Sequence, residues 1–414
     1  MFYYRFQDNI LFSRNHYPGF EQIDEVEVQK HEGSLYYLKS MDPNKSRRTF
    51  SLSHPALIFT DKENLNLIHQ EEFTSTDPLP LWIQHKIEAG SVTGVNTDYP
   101  DWETVLTQSH PKKWRVHIAG LGDVGGTLLM GLRLLGDQWV DRIGIYDRTP
   151  NKLKRWEQEI NQIYNINDSL YPDVHILEND QLFNCDMFVF CIAARVPAIG
   201  DEAQDVRMVQ LEANSEIIEV YAKQARDAGF KGIFAVVSDP VDLLCKVVLN
   251  SSNTDNAGNY DFKGLAPEQI RGYGLGVMNA RARYYSKENP KALHFEQEGR
   301  SFGPHGADLV IADSIYNYNE SLSAYLTEKA KKANLEVRQL GFKPYIAPAL
   351  SSGALSILST IKGEWHYSAT YMGGVYMGAK NRLISSGTEV ETLTLHPLLL
   401  NRLQETYDKL EAIL

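Results

Sequence analysis

The chain has 414 residues, 43% of them apolar, which is enough for two or three domains with substantial cores. Its formal net charge of −12 argues against a surface that follows nucleic-acid phosphates, so we expect no nucleic-acid partner. The first residues lack the pattern of a signal peptide, and no run of about 18 apolar residues indicates a membrane span. The three cysteines have no C-x-x-C spacing and are typical of reduced core residues. We therefore expect a cytoplasmic protein with no membrane partner.

Residues 1–110 are predicted to form an N-terminal extension of unknown role. Two short apolar runs in it favour strands, at Leu35–Leu38 and at Ala56–Phe59. The stretch from Ser91 to Lys113 mixes turn formers with charged residues and is interpreted as a connection to the next domain.

Residues 111–250 alternate short apolar runs with helical patterns, which is typical of βαβ units in a parallel sheet. The helical patterns cover residues 124–136, 150–163 and 207–228. The fold predicted for this segment is a Rossmann-type doubly wound parallel sheet. Its candidate strands are Arg115–Ala119, Arg142–Tyr146, Val174–Leu177, Met187–Ala193 and Ile233–Ser238.

Residues 251–414 follow a polar loop and are predicted to form an α+β lobe that carries the catalytic and substrate-binding groups. Their apolar spacing favours helices at residues 278–288, 318–334, 365–383 and 396–413.

A glycine motif follows the first strand of the predicted parallel sheet. Gly120, Gly122 and Gly125 have G-x-G-x-x-G spacing at the start of an apolar helix, with Asp123 and Val124 between the second and third glycines. Such glycines allow a tight turn, a close approach to a pyrophosphate and helix–strand packing, and the helix N-terminus attracts phosphate. The spacing therefore predicts a dinucleotide site, with a structural glycine turn as the alternative.

An acidic residue at the end of the second strand bears on which dinucleotide binds. Asp147 lies about 22 residues after Gly125, where a carboxylate accepts hydrogen bonds from the adenosine ribose, and this favours NAD. Arg148 follows directly and is placed to face a 2′-phosphate, so NADP stays open. Ala193 and Ser238, at the ends of two later strands, complete the candidate cofactor-binding residues.

Three strings of the sequence resemble the lactate and malate dehydrogenase superfamily in the same order. They are residues 188–248, the string GLGVMNARARYY at 274–285 and GPHG at 303–306. The resemblance covers about residues 112–414. It implies a small-molecule substrate, a 2-oxo acid, and a homo-oligomer, either a dimer or a tetramer.

The resemblance also implies catalytic roles for His305, Arg207 and Arg281 and a substrate-binding role for Arg195, Arg207 and Arg281. His305, in the G-x-H-G turn, would donate a proton to the substrate carbonyl, a role that suits an imidazole near neutral pH. Arg281 would hold the substrate carboxylate through two parallel hydrogen bonds. Arg207 would close over the substrate, and Arg195 lies where malate-type members carry a second carboxylate-binding arginine.

Departures from the family pattern concern the catalytic site. The aspartate that orients the histidine is replaced by Met278, whose thioether is a poor acceptor, and the neighbouring Asn279 should point elsewhere. Asp239 stands where the family has an asparagine and is either a new partner for His305 or a source of repulsion toward an acidic substrate. The motif around the histidine also changes, at Pro304 and Ala307.

Two main functions therefore stay open from the sequence, beside a third possibility in which Asp239 or a carboxylate of the N-terminal extension orients the histidine for chemistry on a non-acid carbonyl substrate. The first is an NAD-dependent oxidoreductase that acts on a 2-hydroxy or 2-oxo acid through an altered site, with Asp239 among its catalytic residues. The second is a catalytically degenerate dinucleotide-binding protein that serves as a redox sensor or assembly module. His366 is interpreted as a packed helix residue instead of a substrate contact. No metal is expected, because no cluster has metal-ligand spacing.

Overall fold

The computed structural model describes residues 1–70, 79–166, 171–194 and 206–413, with only the backbone at 206–209. A mixed six-stranded sheet is built from the first 96 residues, with neighbouring strands in the order β3-β1-β2-β4-β6-β5. Its strands are β1 (Phe2–Phe6), β2 (Asn9–Ser13), β3 (Glu21–Gln22), β4 (Leu35–Lys39), β5 (Thr49–Ser51) and β6 (Val92–Asn96). Two helices accompany the sheet, α1 (Glu25–Lys30) and α2 (Leu81–Glu88).

One of the two strands predicted in this segment is confirmed and the other is wrong. The run Leu35–Leu38 lies in β4. The run Ala56–Phe59 belongs instead to a 3-10 helix at Pro55–Ile58. Proline fixes a helical φ at the first position, and Nδ1 of His54 accepts a hydrogen bond from the Ala56 N–H at 3.1 Å. These local signals outweigh the strand propensity of the apolar side chains.

The central sheet contains six parallel strands, and the Rossmann-type fold is confirmed. The order β9-β8-β7-β10-β11-β12 reproduces the 3-2-1-4-5-6 arrangement of dinucleotide-binding sheets. The strands are β7 (Trp114–Ala119), β8 (Val140–Tyr146), β9 (Asp173–Ile176), β10 (Met187–Phe190), β11 (Ile233–Val236) and β12 (Ile270–Gly272). The associated helices are α3 (Asp123–Leu135), α4 (Pro150–Asn161), α5 (Val206–Asp227) and α6 (Val241–Asn253). All carboxyl ends of these strands meet at one edge, where a ligand binds in such sheets.

The C-terminal lobe continues this sheet with antiparallel strands, so the predicted helix at residues 365–383 is wrong. A meander of β15 (His366–Met372), β16 (Val375–Ile384) and β17 (Gly387–Val390) pairs with β12. The turn between β15 and β16 consists of Gly373 and Gly374, whose φ angles are 63° and 125°. A Gly-Gly pair between two aromatic-rich runs favours a hairpin. Both strands are buried on both faces, which hides the two-residue period.

The remaining elements surround the carboxyl-end edge and the meander. A small hairpin consists of β13 (Arg300–Phe302) and β14 (Val310–Ala312). The helices are α7 (Leu275–Ser286), α8 (Phe295–Glu298), α9 (Glu320–Gln339), α10 (Leu355–Lys362) and α11 (Pro397–Ile413). The predicted helices near 278–288, 318–334 and 396–413 are thereby confirmed. Within the described ranges, no helix combines the length and the apolar composition needed to cross a membrane.

The N-terminal sheet packs against the meander and α11 through a shared core. Phe12 and Tyr37 belong to the same buried cluster as Met377 and Leu403. Close to this cluster, a buried ion pair joins Arg47 to Glu63. Arg47 Nη2 lies 2.9 Å from Glu63 Oε1, and the two side chains are 2% and 3% exposed. Arg47 Nη1 also donates to the carbonyl of Thr388, which ties the N-terminal segment to the meander.

Replacing Glu63 by alanine is expected to lower the free energy of unfolding by about 3–5 kcal/mol, because the Arg47 guanidinium stays buried without its carboxylate. Urea denaturation measures this change. Glu27→Ala is the matched control, since Glu27 pairs with Arg5 at an exposed surface, where ion pairs contribute little. Equal stability of the two variants would contradict a structural role for the buried pair.

Candidate functional site

The glycine turn after β7 leaves an open space in front of α3. Gly120 has a φ of 95°, in the left-handed region that favours glycine. A Cβ atom on Gly125 would lie 1.9 Å from the carbonyl oxygen of Gly120, so this glycine allows the close helix–strand packing. A Cβ on Gly122 would meet no described atom within 4 Å. The absence of a side chain at Gly122 is thus not needed for packing within the protein, and it leaves space for a ligand.

These features fit the pyrophosphate of a dinucleotide. Helix α3 begins at Asp123, directly after Gly122, so its free N–H groups point into the open space. Asp123 and Gly122 are exposed, and Val124 is half-buried. The Asp123 carboxylate lies 2.9 Å from Lys343 Nζ. This ion pair partly neutralises the one acidic side chain in the first turn of α3.

Asp147 lies at the carboxyl end of β8, beside the glycine turn. Its Oδ2 accepts a hydrogen bond from the Leu121 N–H at 2.9 Å and another from Lys152 Nζ at 2.9 Å. Burial raises the pKa of Asp147, but these hydrogen bonds outweigh burial and the net effect lowers it. The neighbouring Arg148 is exposed. Sequence reasoning missed Lys152, whose signal was a lysine in the first turn of the helix after the acidic strand end.

Ala193 and Ser238 follow the adjacent strands β10 and β11. Ala193 is exposed at the edge, whereas Ser238 is buried and donates to the Ile192 carbonyl at 2.7 Å. The side chain of Asn214 on α5 joins the two strand ends: it accepts from the Ala194 N–H at 2.7 Å and donates to the Asp239 carbonyl at 2.6 Å. Asn214 was also missed, and its only signal was an amide on the buried face of a helix.

His305 and Asp239 form a hydrogen-bonded pair at this edge of the sheet. Asp239 Oδ1 lies 2.9 Å from His305 Nδ1, and the side chains are 54% and 20% exposed. Burial lowers the pKa of His305, but the nearby Asp239 carboxylate outweighs burial and the net effect raises it. The structure therefore brings together two of the predicted catalytic residues, with a carboxylate hydrogen-bonded to Nδ1. Within the described ranges, Nε2 has no hydrogen-bond partner.

A second carboxylate fixes the backbone of His305. Asp242, in the first turn of α6, accepts a hydrogen bond from the His305 N–H at 3.0 Å and is 5% exposed. A Cβ on Gly274 would lie 2.7 Å from the Cβ of His305, so only glycine leaves room for the histidine there. Sequence reasoning missed both residues. The acid two residues after Pro240 was the visible signal for Asp242.

Arg281 lies on α7, close enough to His305 for its charge to lower the pKa of the histidine. The Arg281 side chain is partly buried, and its Nη1 approaches Met278 Sδ and the Ala330 carbonyl, both at 3.4 Å. Met278 is 2% exposed and thus contributes packing at the position of the missing aspartate. The expectation that Asn279 points elsewhere is confirmed, because its Oδ1 accepts a hydrogen bond from Ser301 Oγ at 3.0 Å.

The structure describes three further predicted residues, Arg195, Arg207 and His366, to different extents. Arg195 lies outside the described residues. Arg207 lies in the first turn of α5, but its side chain is likewise outside what is described. His366 is packed as expected, with Nε2 2.9 Å from Thr360 Oγ1 and Nδ1 3.0 Å from the Glu364 carbonyl. It lies on strand β15, however, so the helical part of that prediction is wrong.

Burial raises the pKa of Asp242 to about 7. The folded state then binds a proton more tightly than the unfolded state, so the free energy of unfolding falls as pH rises from about 4 to about 7. We expect Asp242→Asn to gain on the order of 2 kcal/mol relative to the parent protein between pH 5 and pH 8. The amide oxygen still accepts from the His305 N–H.

Urea denaturation at several pH values measures this difference. The exposed Asp227→Asn serves as the control and should follow the parent protein throughout. Parallel stability curves for Asp242→Asn and the parent would contradict the prediction.

Comparisons with known proteins agree with this geometry. Residues 114–260 match the family model described as the lactate/malate dehydrogenase, NAD binding domain. The L-lactate dehydrogenase 2 of Staphylococcus aureus (strain Newman) is 22% identical over 330 residues, covering 72% of this chain and 98% of that protein. The L-lactate dehydrogenase of Staphylococcus haemolyticus (strain JCSC1435) is 22% identical over 289 residues, covering 63% of this chain and 84% of that protein.

Solved structures share the fold at lower identity. A lactate dehydrogenase, MGS-M5, from a Medee basin deep-sea metagenome library superposes with a TM-score of 0.58 at 18% identity, covering 73% of this chain and 98% of the other. The malate dehydrogenase of Picrophilus torridus gives a TM-score of 0.57 at 17% identity, covering 72% and 96%. Residues 114–260 thus match the NAD-binding domain of lactate/malate dehydrogenases, and most of the chain is similar to such enzymes in sequence and in fold.

Proposed function

We propose that this protein is an oxidoreductase that transfers hydride between a nicotinamide dinucleotide, NAD, and a 2-hydroxy or 2-oxo acid. The observation that carries the proposal is the distance of 2.9 Å between His305 Nδ1 and Asp239 Oδ1. The charge of Arg281 is near enough to lower the pKa of the same histidine. The relatives named lactate and malate dehydrogenase support the class of reaction.

His305 acts as the general acid in the direction of carbonyl reduction. A reduced nicotinamide dinucleotide held at the glycine turn and at Asp147 would supply the hydride for the carbonyl carbon. The imidazolium Nε2 gives its proton to the carbonyl oxygen, and the neutral imidazole then takes a proton from solvent. Asp239 holds Nδ1–H throughout, so it fixes the tautomer and stabilises the charged ring. Asp239 thereby takes over the positioning role of the aspartate that Met278 replaces.

Arg281 holds the substrate carboxylate. Its described acceptors are a thioether and one long carbonyl contact, so the guanidinium retains donors for a planar carboxylate. Asp239 does not prevent this, because its charge is balanced by the protonated His305. We also propose that Arg207 closes over the substrate and that Arg195 provides a second carboxylate contact.

We propose that Asp147 binds the adenosine ribose of the dinucleotide. A carboxylate at the end of the second strand accepts hydrogen bonds from the ribose hydroxyls, which favours NAD. Arg148 and Lys152 offset this preference, because both are cations near the position of a 2′-phosphate. Calorimetric titrations with NADH and NADPH measure the preference, and tighter binding of NADPH would reassign the cofactor.

The test is oxidation of NADH by the purified protein with pyruvate, oxaloacetate and 2-oxoglutarate. We expect turnover with at least one of them, its loss in His305→Ala, and a raised KM in Arg281→Lys. Exposed Arg283→Lys on the same helix is the matched control for the arginine. Tight NADH binding without turnover on any 2-oxo acid would overturn the enzyme proposal and favour a dinucleotide-binding module that acts as a sensor or in assembly.

A further inference from the structure

A cavity of about 520 Å³ lies where the N-terminal segment, α6, the β15–β16 turn and α11 meet, and we call it the junction cavity. The residues that matter for its chemistry are Lys45, Asp242, Lys246, Tyr260, Leu249 and Glu411. Its volume falls in the range of small-molecule sites. Residues 1–113, which contribute Lys45, lie outside the segment that matches the family model. The junction cavity is therefore lined both by residues inside the family match and by residues outside it.

The charges that line the junction cavity favour an anion. Lys246 is partly buried, and among the residues that the structure describes its one hydrogen-bond partner is the carbonyl of Gly374 at 2.8 Å. Burial lowers the pKa of Lys246, and the nearby Lys45 lowers it further. Lys45 itself pairs with Glu411. The two ammonium groups line the cavity together with Glu411 and with Asp242, whose pKa burial raises to about 7, so the positive charges outnumber the negative ones below neutral pH. A buried ammonium is stabilised by a counter-ion.

The apolar and aromatic part of the lining sets the shape of the ligand. Leu249 and Tyr260 line the cavity together with Lys246, and Tyr260 is 40% exposed. An aromatic ring with an exposed face gives a flat apolar surface for the body of a ligand. Together with the lysines, this lining suits a small organic anion better than a bare inorganic one.

The inner end of the cavity touches the proposed active site. Asp242 and Lys246 are four residues apart on α6 and therefore lie on the same face of the helix. Asp242 accepts the hydrogen bond from the His305 N–H at 3.0 Å. A ligand held by Lys246 would rest against the helical turn that positions His305.

We propose that the junction cavity binds a small organic anion, a carboxylate or phosphate attached to an apolar body, and that the bound anion changes the surroundings of His305 through Asp242. The anionic group is held by Lys246 and Lys45, and the apolar body lies against Tyr260. The binding step does not depend on the proposed oxidoreductase reaction.

Isothermal titration calorimetry with benzoate and phenyl phosphate tests the binding, with benzamide as the neutral analogue and inorganic phosphate as the anion without an apolar body. We expect benzoate or phenyl phosphate to bind at millimolar concentration or below, and benzamide not to bind. The titration is done with and without NADH. An anion that binds at the dinucleotide site would be displaced by NADH, and the titration without NADH tests the cavity even if the protein does not bind the cofactor. Stronger binding of benzoate assigns a carboxylate ligand, and stronger binding of phenyl phosphate assigns a phosphate ester.

Lys246→Met is expected to weaken binding at least tenfold, about 1.4 kcal/mol, while the exposed Lys332→Met on α9 leaves it unchanged. If Lys246→Met does not fold, Lys246→Gln removes the charge and keeps a donor for the Gly374 carbonyl. In NMR spectra of protein labelled with [15N]histidine, the backbone amide signal of His305 should shift on addition of the anion. This signal is identified as the one that disappears in His305→Gln. Equal binding to the Lys246 and Lys332 variants, tightest binding of inorganic phosphate, or an unmoved His305 signal would overturn the proposal.

Discussion

Asp239→Asn is expected to lower NADH-dependent turnover by about 10³- to 10⁴-fold, with little change in NADH affinity. Asp239 Oδ1 is bonded to His305 Nδ1, and an amide at this position offers no charge to stabilise the imidazolium. It also permits the wrong histidine tautomer, an effect of about 10⁴-fold in the serine-protease triad. Steady-state rates with the best 2-oxo acid, together with calorimetry of NADH binding, give the two quantities.

A pH profile distinguishes positioning of the histidine from a general loss of structure. Asp239 raises the pKa of His305, so the limb of the kcat/KM profile that reports this group should move to lower pH in Asp239→Asn. The exposed Asp227→Asn should leave both rate and profile unchanged. Near-parental turnover of Asp239→Asn would show that the carboxylate does not position the histidine.

Gly122→Ala is expected to weaken NADH binding by about 100-fold or more, near 2.7 kcal/mol, and to leave the melting temperature of the free protein nearly unchanged. The backbone of Gly122 has a φ of −74°, which alanine adopts readily, and the added Cβ would touch no described atom within 4 Å. The methyl group would therefore occupy only the space in front of α3 where a pyrophosphate approaches the backbone.

Gly125→Ala provides the contrasting variant. Its Cβ would lie 1.9 Å from the Gly120 carbonyl oxygen, so we expect a lowered melting temperature already in the free protein. Calorimetric NADH titration and thermal denaturation measure both variants. Full NADH affinity in Gly122→Ala would contradict the assignment of this turn to the pyrophosphate.

Local signals in the sequence were sufficient to predict the parallel sheet. Residues close together in the sequence encode β7, β8 and the glycine turn. Their signals are apolar runs, the spacing of the glycines and the acidic residue at the end of a strand. The strands β15 and β16 were wrongly predicted as a helix at residues 365–383, since both of their faces are buried and the two-residue period is hidden.

The contacts within the candidate site could be predicted only in part. Asp239 and His305 are 66 residues apart in the chain, and the sequence left a new partnership and repulsion equally open. The roles of Asp242 and Gly274 depend on a close approach of α6 and α7 to the histidine turn. Such approaches arise from tertiary packing, which local propensity does not encode.

The shared core of the N-terminal sheet and the meander has a consequence for fragments of this protein. A fragment starting at residue 111 would uncover the apolar side chains of Met372, Val375, Leu399 and Leu403, which now lie in that core. Exposed apolar surface of this kind leads to aggregation, so we expect such a fragment to be insoluble. The N-terminal sheet is thus an integral part of the fold that supports the histidine turn. It differs from an accessory domain on a linker, which could be removed without exposing a core.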